Sequence, residues 1–324
     1  MNVVILSAIS SFLLLLGLIP RLRTRLLDKP NVRSSHCHPV PRGGGLSFVV
    51  VSSFASGIAL ITGLSTAAGL SPLIAFPLAV VGLLDDRLDL PSSWRYFAQL
   101  LTAALVLAFS PLVQGVGLST ASSGPFFLPF MALLVISITA VINFTNFMDG
   151  LDGLVAGCMA VAISVVGIQL SAPYPVWALV GSLLGFLLWN WSPAKIFMGD
   201  VGSTFLGAVF SVLVFQASTW PEALSLLLVS TPLMGDACLC VLRRLIVGQR
   251  VFQAHRLHLF QRLHQAGWPH ASVSSLYISA TAVLAFALLW GGLPWVITMA
   301  ALELLLGIWL DQQVAVPFVV ASRS

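Results

Sequence analysis

The sequence predicts an all-α, polytopic membrane protein of about 10–11 transmembrane helices. Of its 324 residues, 58% are hydrophobic and only 8% are charged, and the mean hydropathy is +1.00. A soluble domain carries about 25% charged residues, so this chain has too few charges for a surface that faces water. Its apolar stretches are continuous and roughly 17–22 residues long, which is the length of a helix that crosses the hydrocarbon core of a bilayer.

About eleven such stretches follow one another, so residues 1–324 are expected to form one integral-membrane domain. They lie near residues 3–20, 44–64, 68–84, 96–113, 126–143, 154–171, 175–190, 202–219, 223–242, 271–290 and 294–310. The third and seventh are the shortest. No positive charge precedes the first stretch and no small-residue cleavage site follows it, so we expect a retained helix rather than a signal peptide.

The basic residues are distributed on one side only. All 15 Lys and Arg residues fall after odd-numbered spans, and the connections after even-numbered spans hold none. The positive-inside rule places the odd connections in the cytoplasm and the N-terminus in the periplasm. The net charge of +4 is therefore a topology signal, and we expect no nucleic-acid partner.

The polar motifs also gather on the predicted cytoplasmic face. Adjacent Asp85 and Asp86 end the third span, and such neighbours need a proton or a cation. "NFTNFMDGLDG" (143–153) follows the fifth span, and its Asp149 and Asp152 share either a helix face or a turn. "NWSPAKIFMGDVGS" (190–203) places Asp200 at a helix start, where a diphosphate and Mg²⁺ are both favoured.

Two basic segments complete this face. "DKPNVRSSHCHPVPRGGG" (28–45) predicts a shaped loop that binds a lipid phosphate, with a loop that only fixes orientation as the alternative. "AHRLHLFQRLHQAG" (254–267) predicts an anion site, with a helix lying on the membrane surface as the alternative. The four cysteines are expected to stay reduced and to act as buried small residues.

These motifs, in this order, resemble the polyprenyl-phosphate N-acetylhexosamine-1-phosphate transferase family. The resemblance covers nearly the whole chain. It implies a bacterial inner-membrane enzyme that transfers a sugar 1-phosphate from a UDP-sugar to undecaprenyl phosphate and releases UMP. It also implies that Asp85 and Asp86 lie near the lipid phosphate, that Asp200 binds Mg²⁺, and that Asp149 and Asp152 lie on the nucleotide side.

Three sets of site residues follow from the motifs and the resemblance. The candidate catalytic residues are Asp85, Asp86, Asp149, Asp152, Asp200, His255 and His258. The candidate substrate-binding residues are His36, Arg42, Asn143, Asn146, Asn190, Lys195, Gly199, Gly202, Ser203 and Arg256. The candidate ligands of Mg²⁺, or of Mn²⁺ in its place, are Asp200 and Asp149, with Asp152 as a third.

Several alternatives stay open at this stage. The segment His255-Arg256-Leu257-His258 departs from the consecutive histidines of the muramoyl-pentapeptide branch and from the usual N-acetylglucosamine branch. It looks closer to enzymes that start O-antigen synthesis and accept 6-deoxy-N-acetylhexosamines. The peptidoglycan transferase remains the runner-up, and an ion-coupled transporter is the rival from another class. The expected partners are a UDP-N-acetylhexosamine, undecaprenyl phosphate and the bilayer, and a homodimer is left open.

Overall fold

The computed structural model describes residues 2–28, 30, 38–64, 66–115, 126–250 and 255–322. Within these ranges the chain is almost entirely helical, as the hydropathy pattern predicts. The one sheet in the described part of the chain is a short antiparallel pair, β1 (Leu27–Asp28) and β2 (Val40–Pro41), in which Leu27 lies opposite Pro41. The predicted substrate-binding residue His36 lies outside the described residues.

The helices are numbered in chain order. They are α1 (Asn2–Arg25), α2 (Leu46–Ile61), α3 (Ser71–Leu88), α4 (Ser92–Ala108), α5 (Pro111–Gly115), α6 (Phe127–Phe147), α7 (Leu154–Gln169), α8 (Tyr174–Asn190), α9 (Asp200–Val214), α10 (Trp220–Leu228), α11 (Thr231–Ile246), α12 (Leu259–Gln265), α13 (His270–Gln313) and α14 (Phe318–Ala321). Most of them coincide with a predicted span, because a segment in lipid must satisfy its own backbone hydrogen bonds.

Three of the described helices, α1, α6 and α13, are long and apolar enough to cross a membrane. A fourth candidate is the pair α10 and α11, if these two helices count as one broken span. Four further apolar helices, α2, α7, α8 and α9, are shorter, at 15 to 17 residues. The chain is therefore an all-α, multi-pass membrane protein, as predicted. The number of crossings and the orientation stay predictions.

Three predicted spans differ in shape from the expectation. The span predicted at 223–242 is two helices, α10 and α11, that meet at 84°. Pro232 lies in the first turn of α11, where it has no N–H to continue the preceding helix. The spans predicted at 271–290 and 294–310 form one long element, α13, which is broken at Gly292 (φ 67°, ψ −156°).

The centre of the protein is α9, whose residues after Asp200 are all buried. It packs on α3 with almost no gap between the two backbones. A Cβ added at Gly82 of α3 would lie 2.6 Å from the Asp200 carbonyl oxygen and 2.8 Å from the Val201 nitrogen. This close approach, which only glycine permits, brings the first turn of α9 beside the last turn of α3.

Candidate active site

Asp86 joins the end of α3 to the start of α9. Its Oδ1 and Oδ2 accept the backbone N–H groups of Asp200 and Val201 at 3.2 and 3.3 Å. A carboxylate is favourable there, because the first N–H groups of a helix lack internal partners and carry positive partial charge. Arg42 approaches from the loop after β2, with Nε 3.7 Å from Asp86 Oδ1, and also donates to the Asp86 carbonyl oxygen. Asp86 is thus a buried connector rather than an open carboxylate.

Asp85 is held in a similar way on the neighbouring side. Its carboxylate accepts the Leu90 N–H at 2.8 Å and Arg95 Nη1 at 3.1 Å. The same Arg95 nitrogen lies 4.0 Å from Asp200 Oδ2. The Asp200 side chain is 31% exposed, whereas that of Asp85 is 8% exposed. Of these two carboxylates, Asp200 is the one that a ligand can reach.

Asp149 lies in the turn between α6 and α7, beside the Asp200 region. Burial raises the pKa of Asp149 to about 8, and the nearby carboxylates of Asp200, Asp86 and Asp152 act in the same direction. A backbone hydrogen bond from Gly199 opposes this rise. Carboxylates that lie this near to one another favour the binding of a proton or a cation.

Asp152 follows in the same turn, but its carboxylate already has two partners. Its Oδ1 lies 3.2 Å from His270 Nδ1, and its Oδ2 accepts the Ala194 N–H at 3.1 Å. Burial acts to raise the pKa of Asp152, yet these partners hold it below its usual value. Its carbonyl oxygen also accepts the Ser274 hydroxyl at 2.7 Å. Asp152 therefore links the turn to α13 and to the loop before α9.

Two of the predicted binding residues, Asn190 and Lys195, lie at the end of α8 and in the loop that follows it. Asn190 is buried; it accepts the Gly153 N–H at 3.0 Å and donates to the Ile196 carbonyl oxygen at 2.9 Å. Lys195 is exposed, and its Nζ lies 5.3 Å from the centre of the Trp189 ring. Asn190 is thus occupied in holding two loops together, while Lys195 remains a cation at the surface.

Three further predicted binding residues lie at the start of α9. Gly199 immediately precedes the helix, and Gly202 and Ser203 lie in its first turn. Gly199 has φ +76°, a conformation that other residues rarely adopt. A Cβ at Gly202 would lie 2.7 Å from the Phe48 ring and 2.9 Å from Gly45 Cα. Ser203 is buried and donates to Asn146 Oδ1 at 2.6 Å. The structure thus gives Gly202 and Ser203 packing roles at the start of α9.

A cavity of about 300 Å³ opens between α3, α4, α6, α9 and the histidine segment 255–258. It brings together five of the predicted site residues: Asn143, Asn146, Asp200, His255 and His258. Sequence reasoning missed four further polar residues in its wall: Arg95, Tyr96, Gln99 and Thr204. Gln99 forms a paired amide contact with Asn143, with nitrogen–oxygen distances of 2.9 and 3.0 Å.

His258 starts α12 and is tied to Asp236, which sequence reasoning also missed. His258 Nδ1 lies 3.7 Å from Asp236 Oδ1. The Asp236 carboxylate accepts the N–H groups of Leu259 and Phe260 at 2.8 and 3.1 Å and the Tyr277 hydroxyl at 2.8 Å. The available signal was a carboxylate inside an apolar span, which needs a partner wherever it occurs.

The pKa values of His255 and His258 are shifted in opposite directions. Burial of His258 acts to lower its pKa, but Asp236 and the Cys240 side chain raise the pKa to about 9. Burial lowers the pKa of His255 to about 3, and the positive charges of His258 and Arg244 contribute. The two rings stack with centroids 4.9 Å apart. The segment therefore presents one cationic and one neutral imidazole, a division that suits acid–base chemistry.

A further ion pair, which the sequence analysis did not predict, holds the histidine segment in place. Buried Arg262 pairs with Asp311 of α13, and Arg243 of α11 lies 2.8 Å from the same carboxylate. Arg262 also donates to the Leu257 carbonyl oxygen at 3.0 Å. The neighbouring Arg256, a predicted binding residue, is half-buried, and its carbonyl oxygen accepts from Gln265 at 3.1 Å.

Comparison with known proteins gives the family of the chain. Residues 70–218, from the start of α3 to just beyond α9, match the family model "Glycosyl transferase family 4". A probable undecaprenyl-phosphate N-acetylglucosaminyl 1-phosphate transferase of Bacillus subtilis (strain 168) is 30% identical over 269 residues, covering 78% of this chain and 74% of that protein. The chain belongs to glycosyl transferase family 4. More specifically, it is a member of the polyprenyl-phosphate sugar-1-phosphate transferases of that family, as the motifs predicted.

Two other relatives of this glycosyl transferase family 4 member carry similar names. Decaprenyl-phosphate N-acetylglucosaminephosphotransferase of Mycobacterium leprae (strain TN) is 31% identical over 316 residues, covering 83% of this chain and 78% of the relative. Undecaprenyl-phosphate alpha-N-acetylglucosaminyl 1-phosphate transferase of Escherichia coli (strain K12) is 30% identical over 277 residues, covering 80% and 75%. The matched segment contains Asp85 and Asp86 at the end of α3, Asp149 and Asp152 in the turn before α7, and Asp200.

Proposed function

We propose that this protein transfers N-acetylhexosamine 1-phosphate from a UDP-sugar to undecaprenyl phosphate, giving the lipid diphospho-sugar and UMP. The observation that carries the proposal is the cavity in which reachable Asp200 faces Arg95, paired amides and the histidine segment. The printed names of the relatives support the same reaction class. The product is the first lipid-linked sugar of a cell-envelope polysaccharide such as O-antigen.

The residues suit a reaction between two anions. An oxygen of the lipid phosphate attacks the β-phosphorus of the UDP-sugar, and the bond from that phosphorus to the bridging oxygen breaks. UMP leaves with the electron pair. A lipid monophosphate is largely dianionic at neutral pH, so it needs little activation by a base. Cations must offset the repulsion between the reactants, and Arg95 and protonated His258 both line the cavity.

Mg²⁺ is proposed as the resident metal, with Mn²⁺ able to replace it. Hard carboxylate oxygens suit these ions, and the pKa of Asp149 is raised first by burial and then by the neighbouring carboxylates. Asp200 and Asp149 are the proposed ligands, because Asp85, Asp86 and Asp152 each already have two polar partners. Asp149 has a backbone hydrogen bond from Gly199, and the Asp200 side chain is partly exposed. Once bound, the metal would supply positive charge to the diphosphate and to the transition state.

The other wall residues would position the substrates. Asn143 and Asn146 present amide groups on α6, and Tyr96 and Phe147 add aromatic surface. Such groups suit a nucleobase or an N-acetyl sugar, because both offer donors, acceptors and a flat face. We propose GlcNAc or a 6-deoxy-N-acetylhexosamine as the sugar. Asp85 and Asp86 would act as positioning residues for Asp200 rather than touch the lipid phosphate.

We place the site on the cytoplasmic face of a bacterial inner membrane, with the N-terminus in the periplasm. The one-sided distribution of all 15 Lys and Arg residues supports this orientation. The UDP-sugar would reach the cavity from the cytosol. The lipid phosphate would lie in the adjoining leaflet, so both substrates would arrive on the same side of the membrane.

The test is release of UMP by the purified protein, measured with undecaprenyl phosphate and a panel of UDP-sugars. We expect turnover with UDP-GlcNAc or a 6-deoxy-N-acetylhexosamine donor, complete loss after chelation of divalent metal, and recovery with Mg²⁺ or Mn²⁺. Turnover only with UDP-MurNAc-pentapeptide would favour the peptidoglycan transferase. Absence of UMP release with every donor would overturn the proposal. Substrate uptake into vesicles without UMP release would favour a transporter.

A further inference from the structure

A cysteine and two histidines meet where α11 passes the histidine segment. Cys240, His255 and His258 each offer a ligand atom, and these three atoms all lie within 4.8 Å of one another. Cys240 is 5% exposed and His258 is 2% exposed, while His255 is half-buried. The transferase reaction proposed above uses His255 and His258 but gives no role to the Cys240 thiol.

We propose that Cys240, His255 and His258 form a binding site for Zn²⁺, separate from the carboxylate site proposed for Mg²⁺. A thiolate and two imidazoles are ligands that a borderline-soft divalent ion prefers, whereas Mg²⁺ prefers oxygen. Three protein ligands leave a fourth tetrahedral position open, which water can occupy. If the three ligand atoms moved about 1 Å closer to one another, they would reach the separations expected around a zinc ion with bonds of ~2.0–2.3 Å.

The surroundings of His258 support a metal ligand. Its Nδ1 is buried, has no hydrogen-bond partner among the described residues and lies 3.7 Å from Asp236 Oδ1. If Nε2 binds the metal, Nδ1–H is left to donate to Asp236, the carboxylate–histidine–metal arrangement that orients zinc-bound histidines. Asp236 is itself fixed by Tyr277 and by two backbone N–H groups.

His255 is also available. Among the described residues, its Nδ1 accepts one bond, from the Leu257 N–H at 3.3 Å, which is long for a hydrogen bond, so little is lost if the ring turns toward a metal. Both histidines line the cavity of the proposed active site. Zinc would therefore withdraw them from the substrates and inhibit the enzyme. This consequence rests on the proposed function, whereas metal binding itself does not.

Cobalt gives a direct readout of the site, because thiolate-bound Co²⁺ has a charge-transfer absorption band in the near ultraviolet. We would titrate Co²⁺ into the purified, reduced full-length protein in excess Mg²⁺ and then add Zn²⁺. We expect one band that saturates at one Co²⁺ per chain and is abolished by Zn²⁺. Cys240→Ser should lose the band. Cys238→Ser, an exposed position two residues away on α11, is the matched control and should keep it.

A second set of variants distinguishes loss of the metal site from misfolding. A protein with Ser in place of Cys37, Cys158 and Cys238 retains Cys240 as its one thiol and should still give the band. His258→Gln in that background should lose the band while the free-thiol content stays at one per chain. A missing band in the wild type, or a full band in Cys240→Ser, would overturn the proposal.

Turnover measurements separate this proposal from the proposed function. With Mg²⁺ saturating, added Zn²⁺ should lower UMP release at least tenfold in the wild type and in Cys238→Ser, and much less in Cys240→Ser, each relative to its own zinc-free rate. A cobalt band without any UMP release would uphold the metal site and count against the transferase. UMP release without a cobalt band would do the reverse.

Discussion

Asp86 accepts the backbone N–H of Asp200, 114 residues further along the chain, at 3.2 Å. Its other carboxylate oxygen accepts the Val201 N–H at 3.3 Å. One buried side chain at the end of α3 thus sets the position of the first turn of α9, and with it the direction of the Asp200 side chain. The sequence-based hypothesis that Asp86 serves the lipid phosphate gives way to the proposal that it positions Asp200.

Asp86→Asn tests this positioning role. The substituted amide has one acceptor oxygen, so one of the two N–H groups at the start of α9 loses its partner and the ion pair with Arg42 is lost. We expect the free energy of unfolding to fall by about 1–3 kcal/mol and turnover to fall with it. Thermal unfolding in detergent and UMP release would measure the two effects. Asp89→Asn is the control, because Asp89 is exposed and left-handed (φ 55°), a conformation that Asn tolerates.

Asp200→Asn should separate activity from folding. The Asp200 side chain is 31% exposed, so its replacement should change the thermal midpoint little. Loss of a direct metal ligand should reduce UMP release by roughly 10³-fold, since charge stabilisation by a metal contributes several kcal/mol. Mn²⁺ binding, followed by electron paramagnetic resonance, should weaken in parallel. Near-normal turnover at ordinary Mg²⁺ would contradict the role given to Asp200.

Asp152 should make stability depend on pH. Its pKa is below the usual carboxyl value, because His270 and the Ala194 N–H outweigh the effect of burial. Its pairing therefore stabilises the protein fully above the unfolded-state pKa of about 3.9 and is lost as the pH falls through the lower folded-state pKa. Asp152→Asn should be less stable than the wild type at pH 7, and the difference should shrink in acid. A gap that is constant across this range would contradict the assignment.

The orientation in the membrane can be read from cysteine labelling. In a background with Ser at all four native cysteines, Ser119→Cys should react with a membrane-impermeant maleimide added to the periplasmic side. Arg250→Cys should react only after the inner membrane is opened. Ser119 lies outside the described residues, so its predicted side comes from the distribution of Lys and Arg alone. The opposite labelling pattern would show that the chain has the reverse orientation in the membrane.

Much of the helical layout was predictable, because lipid forces each apolar segment to close its own backbone hydrogen bonds. The motif turns were also predictable as turns or helix ends. Asp149 and Asp152, three residues apart, lie in the turn between α6 and α7. Their different partners, a carboxylate cluster for one and His270 for the other, depend on where α9 and α13 pack. Local sequence carries no record of that packing.

The unpredicted features depend on how the elements pack, in most cases between distant parts of the chain. Pro232 is visible in the sequence, but the 84° angle between α10 and α11 is not. Asp236 lies inside an apolar stretch, and its partner His258 lies 22 residues further along the chain. Arg262 lies in α12 and Asp311 near the end of α13, so almost the whole of α13 separates them along the chain. Each carboxylate signals that it needs a partner, and only the fold determines which partner it finds.

We propose that a sugar 1-phosphate, rather than a bare sugar, passes to the lipid. The deciding measurement uses UDP-GlcNAc, or the donor that the UDP-sugar panel selects, with radiolabelled phosphorus in the phosphate next to the sugar. The purified protein, undecaprenyl phosphate and Mg²⁺ are added. We expect the label to move into the organic-extractable lipid and unlabelled UMP to accumulate in equal amount. Label that stays in the aqueous phase as UDP, while sugar enters the lipid, would contradict this proposal.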